Sequence, residues 1–119
     1  METILVVEDS PTELRLVSLP LQRQGYRVLT AVDGEEALEK AAREHPDLIL
    51  LDVVLPKKNG FQVCRQLKTT PDTQQIKILM VTGKCLDTDR FWGLKQGADD
   101  YMTKPFADED LLANVARLL

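Results

Sequence analysis

The residues with the most chemistry in this chain are a few acids, one hydroxyl and one lysine, each set at the end of a short apolar run. Glu8 and Asp9 follow Ile4 to Val7, and Asp52 follows Leu48 to Leu51. Thr82 closes the run from Ile76 to Val81, and Lys104 comes just after Asp100 to Thr103. Three acids without an obvious partner are costly to bring together. Two like charges about 4 Å apart repel by about 4 kcal/mol at an effective dielectric of about 20. Such a group raises its own pKa values or takes a cation. An all-oxygen set suits a hard ion such as Mg²⁺, which keeps some waters and also binds phosphate oxygens. An aspartate can attack phosphorus and form an acyl phosphate. A metal and a lysine then neutralise the equatorial oxygens, and a hydroxyl donates to one of them. Lys104 fits the ammonium role, with Pro105 stiffening the turn that aims it. Each residue alone has a plainer reading: strand-end acids and Ser10 cap helices, and a lysine is usually solvated.

The elements that must gather these groups alternate along the whole chain. Runs at Ile4 to Val7, Arg27 to Ala31, Leu48 to Leu51, Ile76 to Val81 and Asp100 to Thr103 read as strands. Several are apolar on successive residues, the pattern of strands covered on both faces. Between them lie amphipathic segments. Ser10-Pro11 opens a helix with Leu14, Val17 and Leu21 on one face, and Gly25 stops it. Pro20 conflicts with that helix, at a cost of about 3 kcal/mol unless it kinks. Asp33-Gly34 opens a second helix, with Ala37, Leu38 and Ala41 inward and Pro46 at its end. Asn59-Gly60 opens a third with Phe61, Cys64 and Leu67. Asp87 to Gln96 forms a fourth with Phe91 and Leu94 as its inner face, and Asp108 to Leu119 a fifth. Strict strand–helix alternation predicts an α/β fold, a doubly wound, flavodoxin-like parallel sheet of order 2-1-3-4-5. Ligands of such a sheet bind outside the carboxyl ends of its strands, where these acids fall.

Composition narrows the class. With 119 residues the chain suits one domain, expected to span 1–119. A net charge of −4 speaks against broad attraction to nucleic acid or anionic lipid. Cys64 and Cys85 lack metal-ligand spacing and read as reduced, partly buried thiols of a cytoplasmic protein. No apolar stretch approaches the roughly 20 residues of a membrane-spanning helix, and the first residues do not resemble a signal peptide.

Six short motifs stand in order: Val6-Val7-Glu8-Asp9-Ser10, Asp47 to Asp52, Leu55-Pro56 followed by Gly60, Val81-Thr82-Gly83, Gly97 to Tyr101, and Lys104-Pro105-Phe106. On these the chain resembles the receiver domains of bacterial response regulators, over essentially all of residues 3–119, and in particular free-standing chemotaxis-type regulators. The resemblance implies that Asp52 accepts a phosphoryl group from a histidine kinase or phosphotransfer protein. It implies that Asp9 binds Mg²⁺ directly, Glu8 mostly through water, and Val54 through its backbone carbonyl. Thr82 would hydrogen-bond the phosphoryl group and shift, letting Tyr101 rotate inward. Lys104 would pair with the phosphoryl oxygens, across a Lys104-Pro105 bond that is usually cis. Glu8 stands where many relatives have a second Asp. Val54 replaces a polar or longer residue, which puts the lifetime of the acyl phosphate in question. The stretch Asp89 to Ala98 further resembles stand-alone regulators of pilus-driven twitching and phototaxis. There Trp92 reads either as a cover for a core edge or as an anchor for a downstream protein target.

Other classes fit less well. A phosphatase using an aspartyl-phosphate commonly carries an acid two residues after the nucleophile, where Val54 stands, so the chain reads as catalysing only its own phosphorylation and dephosphorylation. A flavin carrier needs a phosphate-cradling loop where Glu8-Asp9 would repel the ligand. A degenerate receiver that binds partners without phosphorylation is disfavoured by the intact set of Asp9, Asp52, Thr82 and Lys104. The chain contains no DNA-binding output segment, so it either acts by touching another protein or is a piece of a longer regulator.

Overall fold

A computed structural model describes residues 1–119. The strands are β1 (Thr3–Val7), β2 (Arg27–Ala31), β3 (Leu48–Leu51), β4 (Lys77–Thr82) and β5 (Asp100–Thr103). The helices are α1 (Pro11–Arg23), α2 (Gly34–Glu44), α3 (Gly60–Thr69), α4 (Asp87–Lys95) and α5 (Asp108–Leu118). All strand pairs are parallel, in the order β2-β1-β3-β4-β5 expected from the alternation.

Consecutive apolar residues serve opposite faces of the sheet. Ile4, Val6, Leu48 and Leu50 meet Val17 and Leu21 of α1 and Leu111 and Val115 of α5. Leu5, Val7, Ile49 and Leu51 meet Ala37 and Ala41 of α2 and Val63 and Leu67 of α3. Burial of each large side chain contributes about 1.5–3 kcal/mol, so both helix layers are held by the same strands.

Local signals set most helix starts. Ser10 Oγ accepts from the Glu13 N–H, Asp33 does the same for Glu36, and Asn59 and Gln62 form a reciprocal capping box. Gly60 begins α3 pressed against β3's exit: a Cβ there would lie 2.2 Å from the Asp52 carbonyl oxygen. That close approach fixes the backbone around Asp52.

Several expectations need correction. Phe91 and Leu94 do not form the inner face of α4; both are exposed, and Gly93 is the helix's one buried residue. The helix sits so close to the sheet that a Cβ on Gly93 would lie 2.8 Å from Met80 Sδ and 2.9 Å from the Tyr101 ring. Contact is made through backbone, which a search for apolar side chains overlooks. Pro20 lies inside α1, where the sequence placed it. The helix runs on to Arg23, with the Pro20 ring buried. α2 ends at Glu44 because His45 adopts a left-handed backbone (φ 46°), one residue before Pro46.

The cysteines also differ from expectation, since Cys64 is buried and Cys85 is exposed. Burial pushes the Cys64 thiol up to about 12, and its Sγ donates to the Gln96 carbonyl at 3.6 Å. A thiol-specific chromogenic reagent near neutral pH is therefore expected to modify Cys85 alone in the native protein, and Cys64 only in denaturant. Equal native rates for both thiols would contradict this packing.

Candidate active site

The register of the central strands brings the acids together. Val7 pairs with Leu51 and Leu51 with Met80, so the residues just beyond, Glu8 and Asp52, leave neighbouring strands at the same level. Thr82 ends β4 beside Thr103 of β5, and Lys104 follows directly. The Lys104-Pro105 peptide bond is cis.

Lys104 is the hub. Its Nζ lies 2.5 Å from Glu8 Oε2, 3.1 Å from Asp52 Oδ2 and 3.3 Å from Glu13 Oε1. Glu8 and Asp52 are buried, while Glu13 stands at the rim. Asp52 Oδ1 also accepts from the Val54 N–H at 3.2 Å.

The two buried acids are pushed apart in acidity. Burial raises the Glu8 carboxyl to about 7, with its hydrogen bond to Asp52 adding to the rise and Lys104 opposing it. Burial also acts to raise Asp52, but hydrogen bonding from Glu8 and Thr82 and the Lys104 charge outweigh it and hold Asp52 below the usual carboxylate range. Desolvation pulls Lys104 down, and the surrounding carboxylates more than reverse it, so the ammonium stays charged. Asp52 is thus the ionised member of the pair.

Not every residue named from the sequence reaches this cluster. Asp9 is exposed and takes part in no ion pair. Its place among the acids is taken by Glu13, which no motif of the sequence marks for the site. Ser10-Pro11-Thr12-Glu13 has the spacing of a capping box, in which the glutamate turns back to the Ser10 N–H. Glu8 Oε1 takes that N–H instead, at 3.2 Å, which leaves the Glu13 carboxylate free for Lys104. Oxygens of Glu8, Glu13 and Asp52 all lie within 4.8 Å of one another. Such a cleft of carboxylate oxygens, with Glu8 and Asp52 as its buried members, fits a hard divalent cation such as Mg²⁺.

Behind the cluster, Tyr101 is buried and its hydroxyl donates to the Lys84 carbonyl at 2.7 Å. The Lys84 N–H in turn donates to Thr82 Oγ1 at 3.3 Å. Val54 is exposed at the rim, and Trp92 is half-exposed on α4, away from the acids.

The sequence profile described as response regulator receiver domain matches residues 4–116. The chain belongs to this receiver family. Protein PilH of Pseudomonas aeruginosa is 43% identical over 119 residues, covering 100% of this receiver and 98% of that protein. Other curated relatives are longer, and the chain spans between a quarter and half of their length. Among solved structures, the chemotaxis response regulator CheY4 of Vibrio cholerae is 36% identical with a TM-score of 0.93, over 100% of this receiver and 99% of that chain. The receiver domain of the sensor histidine kinase PA1611 from Pseudomonas aeruginosa, which holds a magnesium ion in its active-site cleft, is 32% identical with a TM-score of 0.91, over 98% and 96%. The receiver is thus a two-component signalling module, and none of its helices is long and apolar enough to cross a membrane.

The raised Glu8 carboxyl sets a pH dependence. A group whose folded pKa exceeds its unfolded value, here about 7 against 4.5, contributes its full stability below about pH 4.5 and loses it as pH rises through about 7. In metal-free buffer the wild type is expected to lose about 2–3 kcal/mol relative to Glu8→Gln between about pH 5 and about pH 8. Urea unfolding at the two pH values checks this; parallel pH profiles would contradict it.

Proposed function

We propose that the receiver spans the whole of residues 1–119 and takes a phosphoryl group from a histidine kinase or phosphotransfer protein onto Asp52. One observation carries the proposal: the Asp52 carboxylate is held ionised at the carboxyl end of β3, within hydrogen-bond reach of the Lys104 ammonium. Asp52 attacks phosphorus, an Asp52 O–P bond forms, and the bond to the donor's nitrogen or oxygen breaks with its electron pair leaving on the donor. Lys104 moves one of its N–H donors to a phosphoryl oxygen, and the Thr82 hydroxyl donates to another.

The donor chemistry supports a divalent cation here. Glu8, Asp52, the Val54 carbonyl and Asp9, after a turn of its exposed side chain, would hold Mg²⁺, which supplies further neutralisation of phosphoryl charge. No other chemistry is asked of it.

Output follows from the Thr82–Lys84–Tyr101 chain of hydrogen bonds. Drawing the Thr82 hydroxyl toward a phosphoryl group removes the acceptor of the Lys84 N–H. The loop that holds Tyr101 then rearranges, and Tyr101 lies against Gly93 of α4. The surface of α4, β5 and α5, with half-exposed Trp92 and exposed Phe91, is thereby biased toward or away from a downstream protein. Coupling of this kind is typically about 1–3 kcal/mol. The resemblance to pilus-system regulators, together with the PilH similarity, makes a motility apparatus the favoured setting.

Incubation with acetyl phosphate and Mg²⁺ followed by intact-mass analysis tests the proposal. The wild type is expected to gain a single phosphoryl group in a metal-dependent manner, and Asp52→Asn none. An unmodified wild type, with acetyl phosphate and with a panel of histidine kinases, would leave a phosphorylation-independent binding module.

A further inference from the structure

Lys104 has three N–H donors and three carboxylates around it: it hydrogen-bonds Glu8 and Asp52, while Glu13 is paired with it by charge alone. A phosphoryl oxygen that takes the third N–H must compete with the Glu13 carboxylate for the charge of the ammonium. Glu8 and Asp52 are fixed, being buried, on adjoining strand ends and bonded to backbone N–H groups of Ser10 and Val54. Glu13 differs on every count. Its contact is the longest of the three at 3.3 Å, its side chain is 44% exposed, and no hydrogen bond holds its carboxylate. It also stands with Asp52, Val54, Thr82, Lys84 and Lys104 around the mouth of the cleft, a space of about 360 Å³. A dianionic donor must pass this rim to reach Asp52.

We propose that Glu13 is a positioning residue acting through Lys104, an anionic latch that pairs by charge with the ammonium in the resting state and yields it to the phosphoryl group. This inference rests on the reading of Asp52 as phosphoacceptor. The latch favours the unphosphorylated state in two ways. It competes for the ammonium, and it repels the incoming donor. When water attacks phosphorus and the P–O bond to Asp52 breaks, with the electron pair returning to the Asp52 carboxylate, Glu13 reclaims Lys104. The latch thus sets how readily the protein is charged by a small anionic donor, independently of the groups that perform the transfer.

The test compares wild type, Glu13→Gln and Glu39→Gln, a control that removes an exposed α2 acid engaged in no ion pair. Adduct formation from acetyl phosphate is followed by intact mass, Mg²⁺ affinity by isothermal titration calorimetry, and folding by thermal melts. Glu13→Gln is expected to form the adduct about threefold faster than wild type and to lose it no faster, as suits a partly exposed pair. The advantage shrinks toward unity as salt rises from about 0.05 M to about 0.5 M, because exposed charges are screened. Mg²⁺ affinity stays within about twofold of wild type, and Glu39→Gln behaves as wild type. Equal rates for Glu13→Gln and wild type, or an acceleration that ignores salt, overturn the latch. A roughly tenfold loss of Mg²⁺ affinity also overturns it, and makes Glu13 a metal ligand. Failure of the wild type itself to form an adduct strikes the phosphoacceptor reading, and is recognised because Asp52→Asn is then indistinguishable from it.

Discussion

One ammonium shared among three carboxylates is the interaction on which this structure turns. Lys104 lies close to Glu8, Asp52 and Glu13, in a place where desolvation would otherwise force acids to take up protons. A buried charge without a partner costs far more than an exposed ion pair returns. The lysine therefore decides which acid stays ionised. Asp52, with Lys104, Thr82 and the Val54 N–H around it, keeps its charge, while Glu8 is pushed up to about 7. The same balance leaves the site poised for a further cation or for a phosphoryl group that draws Lys104 away.

The parallel sheet makes that concentration of charge unavoidable. With β1 beside β3 and β3 beside β4, Glu8, Asp52 and Thr82 must leave the sheet on the same side. The cost is met by two apolar layers that hold the strands from both faces. The edges of the sheet are closed by cations: Lys40 Nζ donates to the Thr30 carbonyl of β2, and Arg90 donates to the Tyr101 carbonyl of β5 at 2.8 Å. Arg90 and Arg117 also share Asp100, which ties α4 and α5 to β5. Movement at Tyr101 is thus delivered to a surface whose parts are already linked.

How much of this was legible in the sequence differs by element. The strands and their order followed from successive apolar residues such as Leu48 to Leu51, because only a sheet covered on both faces needs that pattern. Asp52, Thr82 and Lys104 were legible as strand-end residues and fell together as expected from the topology. α4 was not, since its packing depends on Gly93, a residue with no side chain to announce it. Glu13 was hidden for another reason. A capping-box spacing predicts a local role, and only the competing Glu8–Ser10 hydrogen bond, which no periodicity encodes, releases it toward Lys104. Asp9 shows the converse, with its neighbour in sequence turned into the cleft and its own side chain turned out.

The most direct test of the shared ammonium is the stability of Lys104→Met in metal-free buffer, measured by urea unfolding at about pH 8 and about pH 5. At the higher pH the variant leaves buried carboxylates facing one another, and a loss of about 3 kcal/mol relative to wild type is predicted. At the lower pH Glu8 is protonated and can donate to Asp52, so the loss is predicted to fall to about half of that or less. An equal loss at both pH values would show that Lys104 serves packing alone, and would contradict the account.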